Sequence, residues 1–199
     1  MIKIIDYEIG NVNSILNMLK KTKIEAKIIS DVKNLKKNDK IILPGVGSYD
    51  NCVLKLKEHY FYDFLKFETK NLNLKVLGIC LGMQILCDSS EEGSEKGLGF
   101  FSVKCKAFKN QNDINTVAGW SKIFSENTDL NKNNTTEKER YYFLHSYYVP
   151  LNSNTVSYAF NLEKKYSAII KKNNIIGCQF HPERSHYFGM QFFKKFSNL

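Results

Sequence analysis

The stretch that most constrains this chain is Val76-Leu77-Gly78-Ile79-Cys80-Leu81-Gly82-Met83-Gln84, an apolar strand-like run that delivers a cysteine with a glycine two residues before it and another two after. A helix is predicted to follow, and the whole is a nucleophile-elbow pattern with Cys in the Ser position. The turn is so tight that side chains at 78 and 82 would collide with neighbouring backbone, so both positions need glycine. The product is a sulfur held above a sheet, close to the positive end of a helix and next to backbone N–H groups, an environment that favours thiolate.

Around this turn strands and helices alternate. Residues 2–6, 26–29, 40–43 and 74–79 are short apolar runs that read as strands. Between the first two, Val12, Ile15, Leu16 and Leu19 recur at helical spacing, with Lys20 and Lys21 suited to the helix C-terminal end. Residues 50–70 are predicted helical, Val53, Leu54, Leu56, Phe61, Phe64, Leu65 and Phe67 supplying apolar faces, and another helical stretch begins at 83–86. Such alternation points to a parallel sheet covered on both faces. The second half changes character: 100–107, 141–149, 155–160, 167–171 and 175–180 are strand-like, with no long helix between them, before an amphipathic helix at 187–196. Polar segments 109–115 and 125–140 read as surface loops. The expected fold is α/β, a central and mostly parallel sheet flanked by helices with antiparallel strands in the second half, in a single domain over 1–199.

Composition narrows the function. The net charge of +9 suggests nucleic acid, yet 27 of the 29 basic residues are Lys and only Arg140 and Arg184 are the arginines that bidentate readout favours. The lysines form no stripe, so no nucleic-acid partner is expected. Cysteines at 52, 80, 87, 105 and 178 include no CxxC pair, which fits a reducing compartment without disulfides or a zinc knuckle. No metal or cofactor is implied. The opening Met1-Ile2-Lys3-Ile4-Ile5-Asp6 meets charge too early for a signal-peptide core, and no apolar run nears the ~18 residues of a membrane span. A soluble, cytoplasmic protein is expected, with no membrane partner.

A cysteine nucleophile needs a proton shuttle, and the chain offers His59, His145, His181 and His186. His181 lies in Gly177-Cys178-Gln179-Phe180-His181-Pro182-Glu183-Arg184-Ser185, directly after a predicted strand. Pro182 disfavours helix at His181. In an extended chain residues two apart point the same way, so Glu183 is expected to reach and orient the ring, giving a Cys80–His181–Glu183 relay. His59 and His186 read as surface residues. Acyl chemistry also needs oxyanion donors. The Leu81 N–H follows from the elbow, and the loop Pro44-Gly45-Val46-Gly47 is the expected source of the second. A phosphate-loop reading of those glycines fails for want of a following Lys-Ser or Lys-Thr.

The elbow Gly-Ile-Cys-Leu-Gly-Met-Gln, the loop Pro-Gly-Val-Gly and the segment Gln-Phe-His-Pro-Glu-Arg-Ser together resemble the class I, triad-type glutamine amidotransferases. Ile4-Ile5-Asp6-Tyr7, Gly10-Asn11, Met83, Val46 and the segment Tyr-Phe-Leu-His-Ser-Tyr-Tyr at 142–148 are similar to the branch of glutaminase subunits of imidazole glycerol phosphate synthase. The resemblance implies Cys80, His181 and Glu183 as catalytic residues and the Val46 and Leu81 N–H groups as oxyanion hole, the Val46 loop reorienting a peptide to complete it. It implies that Gly45, Gly47, Gln84, Glu92, Ser146 and Tyr147 hold glutamine. It further implies a (β/α)8 synthase subunit as heterodimer partner, receiving ammonia from glutamine hydrolysis, with Trp120 and Arg184 facing it. Two features depart from the branch. Val117-Ala118-Gly119-Trp120-Ser121 keeps the Gly-Trp of a usual His-x-Gly-Trp-Asn but neither the His nor the Asn, and Glu8 replaces a usual glycine. Alternative readings are a paralogous glutaminase serving another synthase, such as one amidating a surface-sugar precursor, and a non-catalytic scaffold subunit.

Overall fold

A computed structural model describes residues 1–110, 113–125 and 139–199. In chain order the elements are β1 (Ile2–Ile5), α1 (Val12–Lys21), β2 (Ala26–Ile29), β3 (Lys40–Leu43), α2 (Tyr49–Glu58), α3 (Phe61–Asn71), β4 (Lys75–Ile79), α4 (Leu81–Ile85), β5 (Cys87–Ser90), β6 (Phe101–Ala107), β7 (Lys109–Asn110), β8 (Asp113–Ile114), β9 (Val117–Lys122), β10 (Phe124–Ser125), β11 (Arg140–His145), β12 (Tyr147–Tyr148), β13 (Thr155–Asn161), β14 (Lys164–Lys172), β15 (Ile175–Cys178) and α5 (His186–Ser197). The main sheet runs β10-β13-β14-β15-β4-β3-β1-β2. Its β2, β1, β3, β4 and β15 are mutually parallel, while β14, β13 and β10 continue it antiparallel. This is the mixed α/β architecture expected from the two halves of the sequence.

Alternation along the strands sorts side chains onto two cores. Ile5, Ile41 and Leu43 face one, with α2 and α3, whereas Ile4, Ile42 and Leu77 face the other, with α1 and α5. Helix α1 begins where the Asn11 side chain accepts from the Ser14 N–H at 3.1 Å. Among the described residues one lysine is buried: Lys3, in β1, pairs with Asp39. Among the described residues no helix is long and apolar enough to cross a membrane.

Several expectations need correction. The helical region 50–70 is two helices, because Tyr60 adopts a left-handed φ of 63° and turns the chain between α2 and α3. The helix after the elbow is only Leu81–Ile85, after which the chain pairs as β5 with β6. Strand β9 was not expected, nor its antiparallel partnership with β11; its burial alternates between half-buried and exposed with no fully buried face. Lys109–Asn110 and Asp113–Ile114 pair rather than looping freely, Ser125 and Arg140 end strands, and 111–112 and 126–138 lie outside the described residues.

The topology decides where chemistry can occur. Strands β3, β4 and β15 are parallel neighbours, with Leu43 beside Gly78 and Cys178 beside Ile79. The segments leaving their carboxyl ends, 44–47, 80–82 and 179–183, therefore meet at one edge of the sheet, the location where open α/β sheets bind ligands.

Candidate active site

The backbone at Cys80 has φ 54° and ψ −110°, a conformation disfavoured for a residue with a side chain and tolerated only when its surroundings impose it. Those surroundings are visible at the two glycines. A Cβ on Gly82 would lie 2.1 Å from the Leu43 carbonyl oxygen, and one on Gly78 would lie 2.6 Å from the Gly82 oxygen. The Cys80 N–H bonds the Cys178 carbonyl at 2.8 Å, and the Met83 N–H closes the first turn of α4 on the Cys80 carbonyl at 3.0 Å. The sulfur is thus fixed by backbone on both sides.

His181 follows β15 with an extended φ of −100°, but the chain does not stay extended to Glu183 as the sequence suggested. Residues Pro182–Arg184 form a 3₁₀ turn, held by the Ser185 hydroxyl donating to the His181 carbonyl at 2.6 Å. The turn still brings the carboxylate to the ring: His181 Nδ1 donates to Glu183 Oε1 at 2.8 Å, with both side chains buried. The ring shares its cavity with Cys80. Burial disfavours the imidazolium, but interaction with Cys80 and with the Glu183 carboxylate outweighs it and raises the His181 pKa to about 10.

These groups open into a cavity of about 750 Å³, which Val46, Gly47, Leu81, Gln84, Glu92, Ser146, Tyr147 and Arg184 also line. Gly45 is not among its lining residues. It packs instead against the elbow, where a Cβ would lie 2.4 Å from the Gly82 nitrogen. The 44–47 loop is held from beneath: the Tyr7 hydroxyl donates to the Pro44 carbonyl at 2.5 Å, and the Cys52 thiol to the Val46 carbonyl at 3.3 Å. Glu92 is half-buried, and that burial raises its pKa against the opposing effect of the Tyr49 backbone at the start of α2. The Ser146 hydroxyl bonds Thr116 at 2.7 Å.

The other histidines are placed as follows. His145 lines the cavity with Nδ1 donating to the Tyr147 carbonyl at 2.8 Å, and burial lowers its pKa to about 4. His59 approaches Glu8 at 3.7 Å, and exposed His186 stacks on Trp120 at 5.5 Å. Trp120 lies outside the cavity, in a second hollow with Arg140, Ser185, His186, Tyr187 and Phe188. Arg184 sits 4.5 Å over the Tyr142 ring, which also meets Trp120 edge-on. The positive φ of 66° at Glu8 explains why a glycine would suit that position; here Lys55 pairs with the carboxylate at 2.6 Å. One buried residue went unread in the sequence, Gln179, whose Nε2 lies 3.9 Å from the Cys80 sulfur. Its signal was its place two residues before His181 at the end of a strand.

A buried cysteine at a strained strand–helix turn, with a carboxylate-oriented histidine delivered by the neighbouring strand, defines a protein of the cysteine-triad amidotransferase type. The sequence model of the class-I glutamine amidotransferases matches residues 3–197, and the chain belongs to that family. Among curated relatives it is 43% identical to imidazole glycerol phosphate synthase subunit HisH 2 of Methanococcus maripaludis, over 98% of both chains. It is 37% identical to the HisH 2 subunit of Pseudomonas aeruginosa and 38% identical to the HisH subunit of Leptospira interrogans, over the full length of each. The fold is shared with a crystal structure of a glutamine amidotransferase at TM-score 0.74 and 15% identity, covering 100% of this chain and 99% of that one. PurLQS from Thermotoga maritima gives TM-score 0.70 at 19% identity, covering 99% and 97%.

Proposed function

We propose that this chain is the glutaminase subunit of an imidazole glycerol phosphate synthase, working in the cytoplasm as a single domain over 1–199 and serving histidine biosynthesis. The observation that carries the reading is the meeting, in one cavity, of Cys80 at its strained turn with a His181 ring bonded to Glu183 at 2.8 Å, beside Gly47, Gln84, Glu92, Ser146 and Tyr147. The names of the full-length relatives support it.

In this reading L-glutamine enters with its α-ammonium and α-carboxylate held by Gly47, Gln84, Glu92, Ser146 and Tyr147. Gly45 contributes by setting the loop rather than by contact. The Cys80 thiolate attacks the side-chain amide carbon, and its oxyanion is held by the N–H groups of Leu81 and Val46. His181 gives its proton to the departing nitrogen as the C–N bond breaks, releasing ammonia and leaving a γ-glutamyl thioester. His181 then takes a proton from water, which attacks the thioester; glutamate leaves and the sulfur is regenerated. Glu183 keeps the ring in the orientation and tautomer that both steps need. No metal or cofactor takes part. Ammonia that reaches bulk water is protonated and loses its nucleophilicity, so it passes directly to the partner, a (β/α)8 synthase subunit docked over the cavity mouth with Trp120 and Arg184 at the interface.

The test is glutamine hydrolysis by the heterodimer, with and without the synthase ligand. Cys80→Ala is expected to abolish hydrolysis while the synthase still uses added ammonia. Retained hydrolysis in that variant overturns Cys80 as the nucleophile, whereas a wild-type heterodimer that hydrolyses no glutamine leaves a scaffold role. A second reading, a paralogue feeding a different acceptor, is favoured by the residues at 117–121 and by Glu8, which depart from the branch at the partner-facing side while the triad is intact. Formation of imidazole glycerol phosphate from glutamine by this chain with its cognate barrel subunit separates the two.

A further inference from the structure

Gln179 is fully buried at the carboxyl end of β15, with its backbone N–H bonded to the Ala168 carbonyl at 2.9 Å. Its side chain lies between two residues of the site. Gln84 Nε2 donates to Gln179 Oε1 at 3.3 Å, and Gln179 Nε2 faces the Cys80 sulfur at 3.9 Å. The direction of this chain is not arbitrary. It starts at the Tyr147 main-chain carbonyl, which can only accept, and which takes a bond from Gln84 Nε2 at 3.0 Å as well as the one from His145. That contact fixes which end of the Gln84 amide is nitrogen. The second Gln84 hydrogen then fixes which end of Gln179 is oxygen, and the Gln179 NH₂ is left against the sulfur. Turning the Gln179 amide over would set N–H against N–H at Gln84 and a carbonyl oxygen against a sulfur anion.

We propose that Gln179 is a further catalytic residue of the glutaminase, its amide N–H serving as a hydrogen-bond donor that stabilises the Cys80 thiolate. The assignment rests on Cys80 being the nucleophile. Hydrogen bonds to an ionised acceptor are roughly twice as strong as neutral ones, and a buried sulfur anion has few other donors to meet it. The amide transfers no proton. As the S–C bond forms, sulfur charge passes to the glutamine oxygen and the contact weakens; as water cleaves the thioester, the C–S bond breaks, the thiolate returns and the donor is again in place. Gln84 and Tyr147, assigned above to glutamine binding, are the groups that aim Gln179, so the substrate pocket and the nucleophile share one hydrogen-bond chain.

Two near-isosteric variants test this in the heterodimer. Gln179→Met keeps the volume and removes the donor. It is expected to slow alkylation of Cys80 by iodoacetamide at neutral pH about tenfold, read by mass spectrometry of the Cys80 peptide, and to lower kcat for glutamine hydrolysis by a similar factor with KM little changed. Gln179→Glu places a carboxylate against the sulfur and is expected to alkylate more slowly still at pH 8. Its rate relative to wild type should climb as pH falls to 5, because the protonated acid regains a donor. A structural role alone does not produce that pH signature. Alkylation of folded Gln179→Met at the wild-type rate, or a rise in KM with kcat unchanged, overturns the proposal. Should Gln179→Met fail to fold, a flat pH ratio for Gln179→Glu overturns it equally. Wild-type enzyme that neither alkylates at Cys80 nor hydrolyses glutamine would instead refute the nucleophile itself.

Discussion

His145 and His181 line the same cavity, yet their surroundings drive the two rings in opposite directions. Interaction with Cys80 and Glu183 raises the His181 pKa; the stability this contributes is present below its unfolded pKa near 6.5 and is lost as pH rises toward about 10. His145 is walled by the rings of Phe108, Phe143 and Tyr166, and its Nε2 has no hydrogen-bond partner among the described residues. Burial holds it neutral down to about pH 4, and the His181 charge adds to the effect. Between pH 6.5 and 4 the unfolded chain therefore binds a proton at His145 that the folded chain refuses, and stability falls as pH falls. Each pH unit in that window costs about 1.4 kcal/mol. His145→Asn keeps a donor for the Tyr147 carbonyl but does not titrate. Urea unfolding at pH 6.5 and pH 5 should show wild type losing about 2 kcal/mol more than the variant over that interval. Equal losses would mean that His145 is not held neutral.

At the scale of elements, the elbow was legible because steric demand leaves a residue-level trace: only glycine fits at 78 and 82, and the sequence shows both. Strand β9 left no such trace. It alternates, but between half-buried and exposed positions, with Gly119 in the middle at φ 129°, so no apolar period marks it. Cys87–Ser90 is likewise too polar to be read as a strand; it pairs because Leu98 and Phe100 return the chain to α4 through bonds to the Ile85 and Leu86 carbonyls at 2.7 and 2.9 Å. The break at Tyr60 is a single backbone torsion on a residue with no turn propensity. Gln179 escaped notice because its meaning is a contact with Gln84, 95 residues away in sequence. The two kinds of glycine constraint can be separated by experiment. Gly82→Ala sets a Cβ 2.1 Å from a main-chain oxygen, whereas Gly47→Ala meets nothing within 4 Å and suffers only from its φ of 89°. Gly82→Ala is expected to cost about 3 kcal/mol or more and Gly47→Ala about 1–2 kcal/mol, measured as shifts of the denaturation midpoint. The reverse order would show that backbone sterics do not set the elbow.

For the whole molecule, the order of the main sheet explains why residues as far apart in sequence as Val46, Cys80 and His181 share one edge, and it also leaves that edge uncovered. Val46 and Leu144, both apolar and substantially exposed, stand at the mouth of the cavity, and Trp120, Arg184, His186 and Tyr187 extend the exposed surface away from it. Trp120 is the anchor of this extension: it stacks on His186 at 5.5 Å and meets Tyr142 edge-on, while Arg184 covers the same Tyr142 ring. Its contacts hold the indole in one orientation while about half its surface stays open. A large aromatic group pre-ordered in this way loses little entropy on docking, and such residues supply much of the energy of protein interfaces. In the proposed heterodimer, Trp120→Ala should weaken association with the (β/α)8 subunit by about 2 kcal/mol, roughly thirtyfold in Kd. Glutamine hydrolysis by the uncomplexed chain should be unchanged, since Trp120 does not line the catalytic cavity. Phe67→Ala, which removes a more exposed ring from α3, provides the comparison, because α3 packs on the opposite face of the sheet from α5. Titration calorimetry that finds both variants equally impaired, or Trp120→Ala binding as tightly as wild type, would move the docking face away from Trp120.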